Sequence, residues 1–249
     1  MPRYCLEVAY KGTAYAGFQT QQNANTVQDE LEKALAVLYR QPWSLTGSSR
    51  TDAGVHAKQN FFHADAPFEV VKRHLYNVNA ILPPDIVVKN IFSVAPNFHC
   101  RFLATFRRYR YFISIGKNPF TQQVAWFYPY ALDLELLNAA AAAIMQFSDF
   151  TSFSKRNTQV HTKVCKVERS HWYLENDMLV YEVVANRFLR GMVRGLVATQ
   201  LQAGRGKITI DELNQIVAAK DASKADFSAP AHGLFLEEVG FPENTFTAV

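Results

Sequence analysis

The chain has 249 residues, 49% hydrophobic and 19% charged, which is enough apolar mass for one large core or two smaller ones. Its 26 Lys and Arg against 22 Asp and Glu leave a net charge of only +4, a slight bias toward a polyanionic partner. No window approaches a membrane span, the start MPRYCLEVAYKG lacks the apolar run of a secretion signal, and Cys5, Cys100 and Cys165 lie far apart without a CxxC pair; the expectation is a cytoplasmic protein with no membrane partner, disulfide framework or structural zinc.

Along the chain, Tyr4, Leu6, Val8 and Tyr10 alternate and predict a half-buried strand that ends at Lys11-Gly12. Val27, Leu31, Leu35 and Leu38 recur at helical spacing behind Thr26, a suitable N-cap, with Pro42 beyond the end. Residues 59–64 read as a strand, 70–78 as a helix and 86–92 as a strand after the Leu82-Pro83-Pro84-Asp85 turn. The second half has the same texture: a strand over 107–115, an alanine-rich helix over 133–147, a strand pair over 164–174 and 178–185 around Asn176-Asp177, and helices over 187–202 and 211–219. This alternation predicts an α+β fold of two related lobes, residues 1–104 and 105–249, each a mostly antiparallel sheet with helices on one face, the two forming a cleft.

Three segments stand out as chemistry-bearing. Gly47 to Ala57, GSSRTDAGVHA, sets Arg50, Asp52 and His56 among small turn-formers; the same residues would serve a plain Asx-turn at Asp52 with Gly54 at positive φ. In Arg107-Arg108-Tyr109-Arg110-Tyr111, alternation sends Tyr109, Tyr111 and Ile113 to one face, where a ring could stack on a base, and Arg108 and Arg110 to the other, where they could meet phosphates or water. On a helix over 187–202, Arg187, Arg190 and Arg194 would form one stripe, suited to an anionic partner or to solvent. No GxGxxG, GxxxxGK[ST], HxxxH or HExxH pattern occurs, so neither a dinucleotide, a nucleoside triphosphate nor a metal has sequence support.

Taken together these motifs resemble the TruA family of tRNA pseudouridine synthases. The resemblance runs in order through Tyr10 to Gln19 (YKGTAYAGFQ), Arg50 to His56 (RTDAGVH), Asn79 to Pro83, Phe98 to Phe102, Arg107 to Tyr111, Phe188 to Arg194 and Ala229 to Leu236, nearly the whole chain. It implies the pseudouridine synthase fold, Asp52 as the catalytic carboxylate, Tyr109 against the target uracil, and Arg194 paired with the aspartate. It further implies Arg50 and Leu234 at the substrate nucleotide, and a homodimer that holds tRNA and acts on uridines of the anticodon stem-loop. Arg108, Arg110, Arg187 and Arg190 are then expected on the RNA backbone. The sequence departs from the family pattern at Ser49, where glycine is usual, and at Gly191 and Gly195, where polar residues are; glycines inside a helix cost about 1 kcal/mol each against alanine.

The implied chemistry breaks the N1–C1′ bond of uridine, turns the base and joins C5 to C1′, with no redox change and no group added, so no cofactor or metal is expected. A carboxylate is ordinarily ionised at neutral pH and could attack C1′ or C6 or remove a sugar proton. The target must leave the stack at a cost of a few kcal/mol, partly offset by a ring such as Tyr109 at about 1–3 kcal/mol. A relative acting on another RNA shares every motif; a structured-RNA-binding protein would tolerate loss of Asp52; a small-molecule isomerase would have no use for the three arginines.

Overall fold

The computed structural model describes residues 1–155, 160 and 162–249 and is an α+β protein of two compact units, Met1–Thr105 with Leu236–Val249, and Phe106–Phe235. The first unit contains, in chain order, β1 (Arg3–Tyr10), α1 (Val27–Tyr39), β2 (Thr46–Gly47), β3 (His56–Asp65), α2 (Arg73–Ile81) and β4 (Ile86–Val94). The second contains β5 (Phe106–Ser114), β6 (Trp126–Phe127), α3 (Leu134–Ile144), β7 (Val167–Glu175), β8 (Met178–Ala185), α4 (Met192–Gly204) and α5 (Ile210–Ala218). The chain then runs through β9 (Leu234–Gly240), across the boundary between units, to β10 (Thr247–Ala248) in the first.

In the first unit, β1 lies between β3 and β4 and is antiparallel to both, with β10 beside β4 and β2 beside β3. The register puts Leu6 beside Phe62 and Ile91 on one face, and Cys5 and Glu7 beside His63, Phe92, Phe61 and Asn90 on the other. Contrary to expectation β1 is buried on both faces, with Cys5 0% and Glu7 6% exposed. The cause is the C-terminal segment. Phe246 stacks on Phe61 at 5.4 Å and meets Phe92 at 4.7 Å, while Phe241 meets Phe61 edge-on at 5.0 Å, so aromatic rings cap the face that alternation assigned to water. Residues 236–249 thus pack with the first unit and not, as the 105–249 division had it, with the second. Burial acts to raise the Glu7 pKa, but hydrogen bonds from Asn90, Gln59 and Lys89 outweigh it and hold the carboxyl below its usual range.

Helix α1 starts where the sequence indicates: the Thr26 hydroxyl accepts from the Asp29 amide at 3.2 Å, Asp29 and Glu30 occupy the first turn, and Val27, Leu31, Ala34 and Leu35 form its buried stripe. The second unit is a sheet ordered β5-β8-β7, antiparallel throughout, with β6 parallel to β5. Its β7–β8 hairpin turns at Asn176 and Asp177, whose φ values of 50° and 59° are those of a type I′ turn. Helix α3 is tied to β7 by a two-way bond, Asn138 donating to the Trp172 carbonyl at 3.0 Å and accepting from its amide at 2.9 Å. The predicted 70–78 helix forms later, as α2, and the predicted 187–202 helix begins only at Met192.

Candidate active site

The segment between β2 and β3 carries Asp52. Residues Asp52 to Val55 close a turn through the Val55 amide, which donates to the Asp52 carbonyl at 3.1 Å, with Gly54 at φ 79°. Flanking bonds pin the turn to the 15–18 segment and through it to α1: the Phe18 amide donates to the Thr51 carbonyl at 3.2 Å and the Gly54 amide to the Tyr15 carbonyl at 3.3 Å, while Phe18 and Gly17 accept from the first turn of α1. His56, 1% exposed, accepts from the Gly12 amide at 3.0 Å through Nδ1. Gly12 must be glycine, since a Cβ there would lie 2.0 Å from the Val55 carbonyl oxygen. The histidine therefore shapes the loop, as its buried, bonded position requires.

Beneath the turn lies a buried polar group that motif reading missed. Tyr10 Oη is 2.8 Å from Thr51 Oγ1, and Asn60 Nδ2 donates to Tyr10 Oη at 3.1 Å and to the Ser49 carbonyl at 2.8 Å. The available signal was Asn60 itself, a polar residue next to Phe61-Phe62 in β3 and paired across the sheet with Val8. Arg50 projects to solvent and Asp52 is half-buried, so an ionisable carboxylate stands at the surface of a rigid loop with a guanidinium two residues away.

In the second unit, Tyr109 and Tyr111 lie on the inward face of β5, as alternation predicts. Tyr109 is 7% exposed and meets Phe188 edge-on at 5.0 Å, and Tyr111 donates to the Pro230 carbonyl at 2.8 Å. Burial pushes the Tyr111 pKa up, and the nearby Arg194 guanidinium opposes the shift. Arg110 is engaged: it pairs with Glu175 at 2.5 Å and its guanidinium lies 5.0 Å and 5.5 Å from the Phe112 and Tyr173 rings. Arg107, buried, donates to the Asn186 carbonyl at 2.9 Å.

The arginine stripe does not exist as a helical face. Arg187 to Leu189 are irregular, Arg190 lies in a turn, and Gly191, with φ 76°, is the cap from which α4 departs. The chain is held out of the helix by Asn186, whose Oδ1 accepts from the Lys166 amide at 2.8 Å, and by the Arg190 carbonyl, which accepts from the Lys155 amide at 3.0 Å. Gly191 is thus a cap and not a helix-interior defect, and Gly195 is where the Phe153 and Phe227 rings come so close that a Cβ would lie 2.9 Å from Phe227. Arg194 sits in the first turn of α4 and donates through Nε to the Ala229 carbonyl at 2.5 Å; Leu234, 6% exposed, follows the same 229–233 segment.

A cleft of about 480 Å³ in the first unit lies at the opposite end of β1 and β3 from the Asp52 turn, lined by Arg3, Trp43, His63 and Asp65. Arg3 and Asp65 satisfy one another at 2.7 and 2.9 Å, and burial holds the His63 imidazole neutral, its pKa down at about 4, so this cleft presents none of the predicted chemistry. Among the described residues no group of three or more His, Cys, Asp or Glu could hold a metal ion, and no helix is long and apolar enough to cross a membrane.

Comparison with known proteins meets this geometry from outside. Residues 146–242 match a family described as tRNA pseudouridine synthase. A protein of Parabacteroides distasonis named tRNA pseudouridine synthase A is 42% identical, over 99% of this chain and 98% of its own length. Proteins of the same name from Porphyromonas gingivalis and Staphylococcus aureus are 39% and 37% identical, covering 99% and 97% of this chain and 100% and 92% of theirs. Identity of this order over essentially the whole of both chains places this chain in the tRNA pseudouridine synthase A family.

Proposed function

We propose that the chain isomerises uridine to pseudouridine in the anticodon stem-loop of tRNA, as a cytoplasmic homodimer, with Asp52 as the reacting carboxylate. The observation that carries the reading is the Asp52 turn: a half-buried carboxylate on a loop whose neighbours Ser49, Thr51, Gly54 and His56 are each hydrogen-bonded to residues of β1, β3 or the 12–18 segment. Such fixing favours chemistry over solvation, because a reacting group gains rate from being held in the orientation it needs. The activity breaks N1–C1′ and C5–H and forms C5–C1′ and N1–H, the C5 proton leaving to solvent while N1 takes one up, so bonds and electrons balance without a second reactant. By the same reading Tyr109 and Leu234 serve the target nucleotide, Arg50 and Arg194 supply positive charge to it and to the carboxylate, and Arg108, Arg187 and Arg190 meet RNA phosphates. Arg110, already paired with Glu175, is left out of that set.

The test is tritium release from tRNA transcripts labelled at uridine C5, with Asp52→Ala and Asp52→Asn beside the wild type. Release by the wild type alone, with tRNA affinity of the variants intact, supports the reading, and mapping the products on anticodon-stem variants fixes the position. Equal loss of binding and release would make Asp52 a binding group. Tight binding with no release from any tRNA would favour a non-catalytic RNA-binding protein or a different RNA target.

A further inference from the structure

We infer that Asn60, Tyr10 and Thr51 form a one-way hydrogen-bond relay that orients the Asp52 carboxylate, making Tyr10 a positioning residue for the isomerisation. The inference rests on Asp52 being the reacting group. Its direction follows from two backbone groups that have no choice of role. The Phe61 amide can only donate, and it donates to Asn60 Oδ1 at 2.9 Å; the Ser49 carbonyl can only accept, and it accepts from Asn60 Nδ2 at 2.8 Å. The opposite amide orientation would set donor against donor and acceptor against acceptor, so Nδ2 is the atom that faces Tyr10 Oη at 3.1 Å.

Tyr10 Oη therefore accepts from Asn60, and its own proton must go to the neighbouring oxygen, Thr51 Oγ1, at 2.8 Å, because a buried hydroxyl without an acceptor is costly. Burial also pushes the Tyr10 pKa up, so the phenol keeps that proton. Thr51 Oγ1 accepts in turn, which turns its hydroxyl proton away from Tyr10, and the Thr51 carbonyl is held by the Phe18 amide at 3.2 Å. Residues 49 and 51, on either side of Arg50, are thus anchored through Asn60, and Thr51 is fixed by backbone and side chain at once, one residue before Asp52. Asn60 is 0% exposed, Tyr10 5% and Thr51 7%. Apolar residues of the same shape would fill this space with no satisfaction requirement, so a complete polar set here serves geometry more than stability.

The experiment measures steady-state tritium release with the full-length protein and C5-labelled tRNA. Tyr10→Phe keeps the ring against Phe18 and removes only the hydroxyl. The expected result is a kcat lower by roughly 10- to 100-fold, as for a reacting group displaced by a fraction of an ångström, with KM for tRNA within about twofold. Thr51→Val falls to the same level, Thr51→Ser recovers at least about tenfold over Thr51→Val, and the Tyr10→Phe/Thr51→Val double variant is no slower than the worse single, as members of one chain of bonds require. Unchanged kcat in Tyr10→Phe, a KM that rises in step with the fall in kcat, additive losses, or no recovery with serine would each overturn the relay. If Tyr10→Phe melts far below the wild type, the Thr51→Ser and Thr51→Val pair decides alone. Residual release by Asp52→Ala would instead remove the reading on which the relay rests, whereas an inert Asp52→Ala beside a fully active Tyr10→Phe removes the relay only.

Discussion

Two turns with the element ends that flank them carry most of the candidate side chains, 47–57 in the first unit and 186–194 in the second, and they keep their shape by different means. The first is clamped from several directions, by Asn60 and Tyr10 below, Phe18 and Tyr15 beside it and Gly12 at its exit. The second is tied at its two ends, by Lys166 and Arg107 on Asn186, by Lys155 on the Arg190 carbonyl and by Arg194 on the Ala229 carbonyl, and bends on the left-handed backbone of Gly191. A carboxylate that must meet one atom of a substrate needs the first kind of support. Arginines that meet a flexible polyanion tolerate the second, because a charge acts over several ångströms.

The contrast can be broken most severely at Gly12. Gly12→Ala forces a methyl to 2.0 Å from the Val55 carbonyl, where only backbone can yield, and the expected loss is about 3 kcal/mol or more with turnover abolished. Chemical denaturation and tritium release read both; a fully stable, active Gly12→Ala would show that the loop is not clamped. Gly191→Ala meets only the flexible stem of Lys155 at 3.0 Å but must hold φ 76°, so the expected cost is about 1–2 kcal/mol, smaller in Gly191→Asn, with kcat little changed. Thermal unfolding of the two variants side by side gives the ranking, and an asparagine as damaging as alanine would point to a steric cause instead of the backbone. The smallest effect separates two neighbours on β5. Arg108→Ala should weaken tRNA binding and lower its salt slope by about one, while Arg110→Ala, whose partner is Glu175, should leave the slope unchanged. An Arg108→Ala slope equal to that of the wild type would mean that Arg108 meets no phosphate.

How much of this was legible depended on whether the signal was local. The Asp52 turn was readable because glycine, aspartate and histidine at fixed offsets state their own backbone needs, and Gly54 at φ 79° answers one of them. The start of α4 was misread because Leu189, Met192, Val193 and Leu196 keep helical spacing through a segment that is not helical; Gly191 was the sign to stop, and periodicity outweighed it. The pairing of Arg110 with Glu175 was not legible, because an arginine on a strand does not announce a glutamate that is 65 positions away in the chain.

By itself the sequence determined most of the longer elements, the N-cap of α1, the position of the hairpin turn at Asn176-Asp177, and through its ordered motifs the family and the chemistry to expect. These are written in spacings of a few residues, where steric and hydrogen-bonding rules act directly. Tertiary structure alone decided that Phe241 and Phe246 bury the second face of β1, that Arg110 is spent on Glu175, and that Asn60 reaches Tyr10 and Ser49 beneath the Asp52 turn. Each of these joins residues far apart in the chain, and such contacts are set by which surfaces close over one another once the sheets form, which no local pattern encodes.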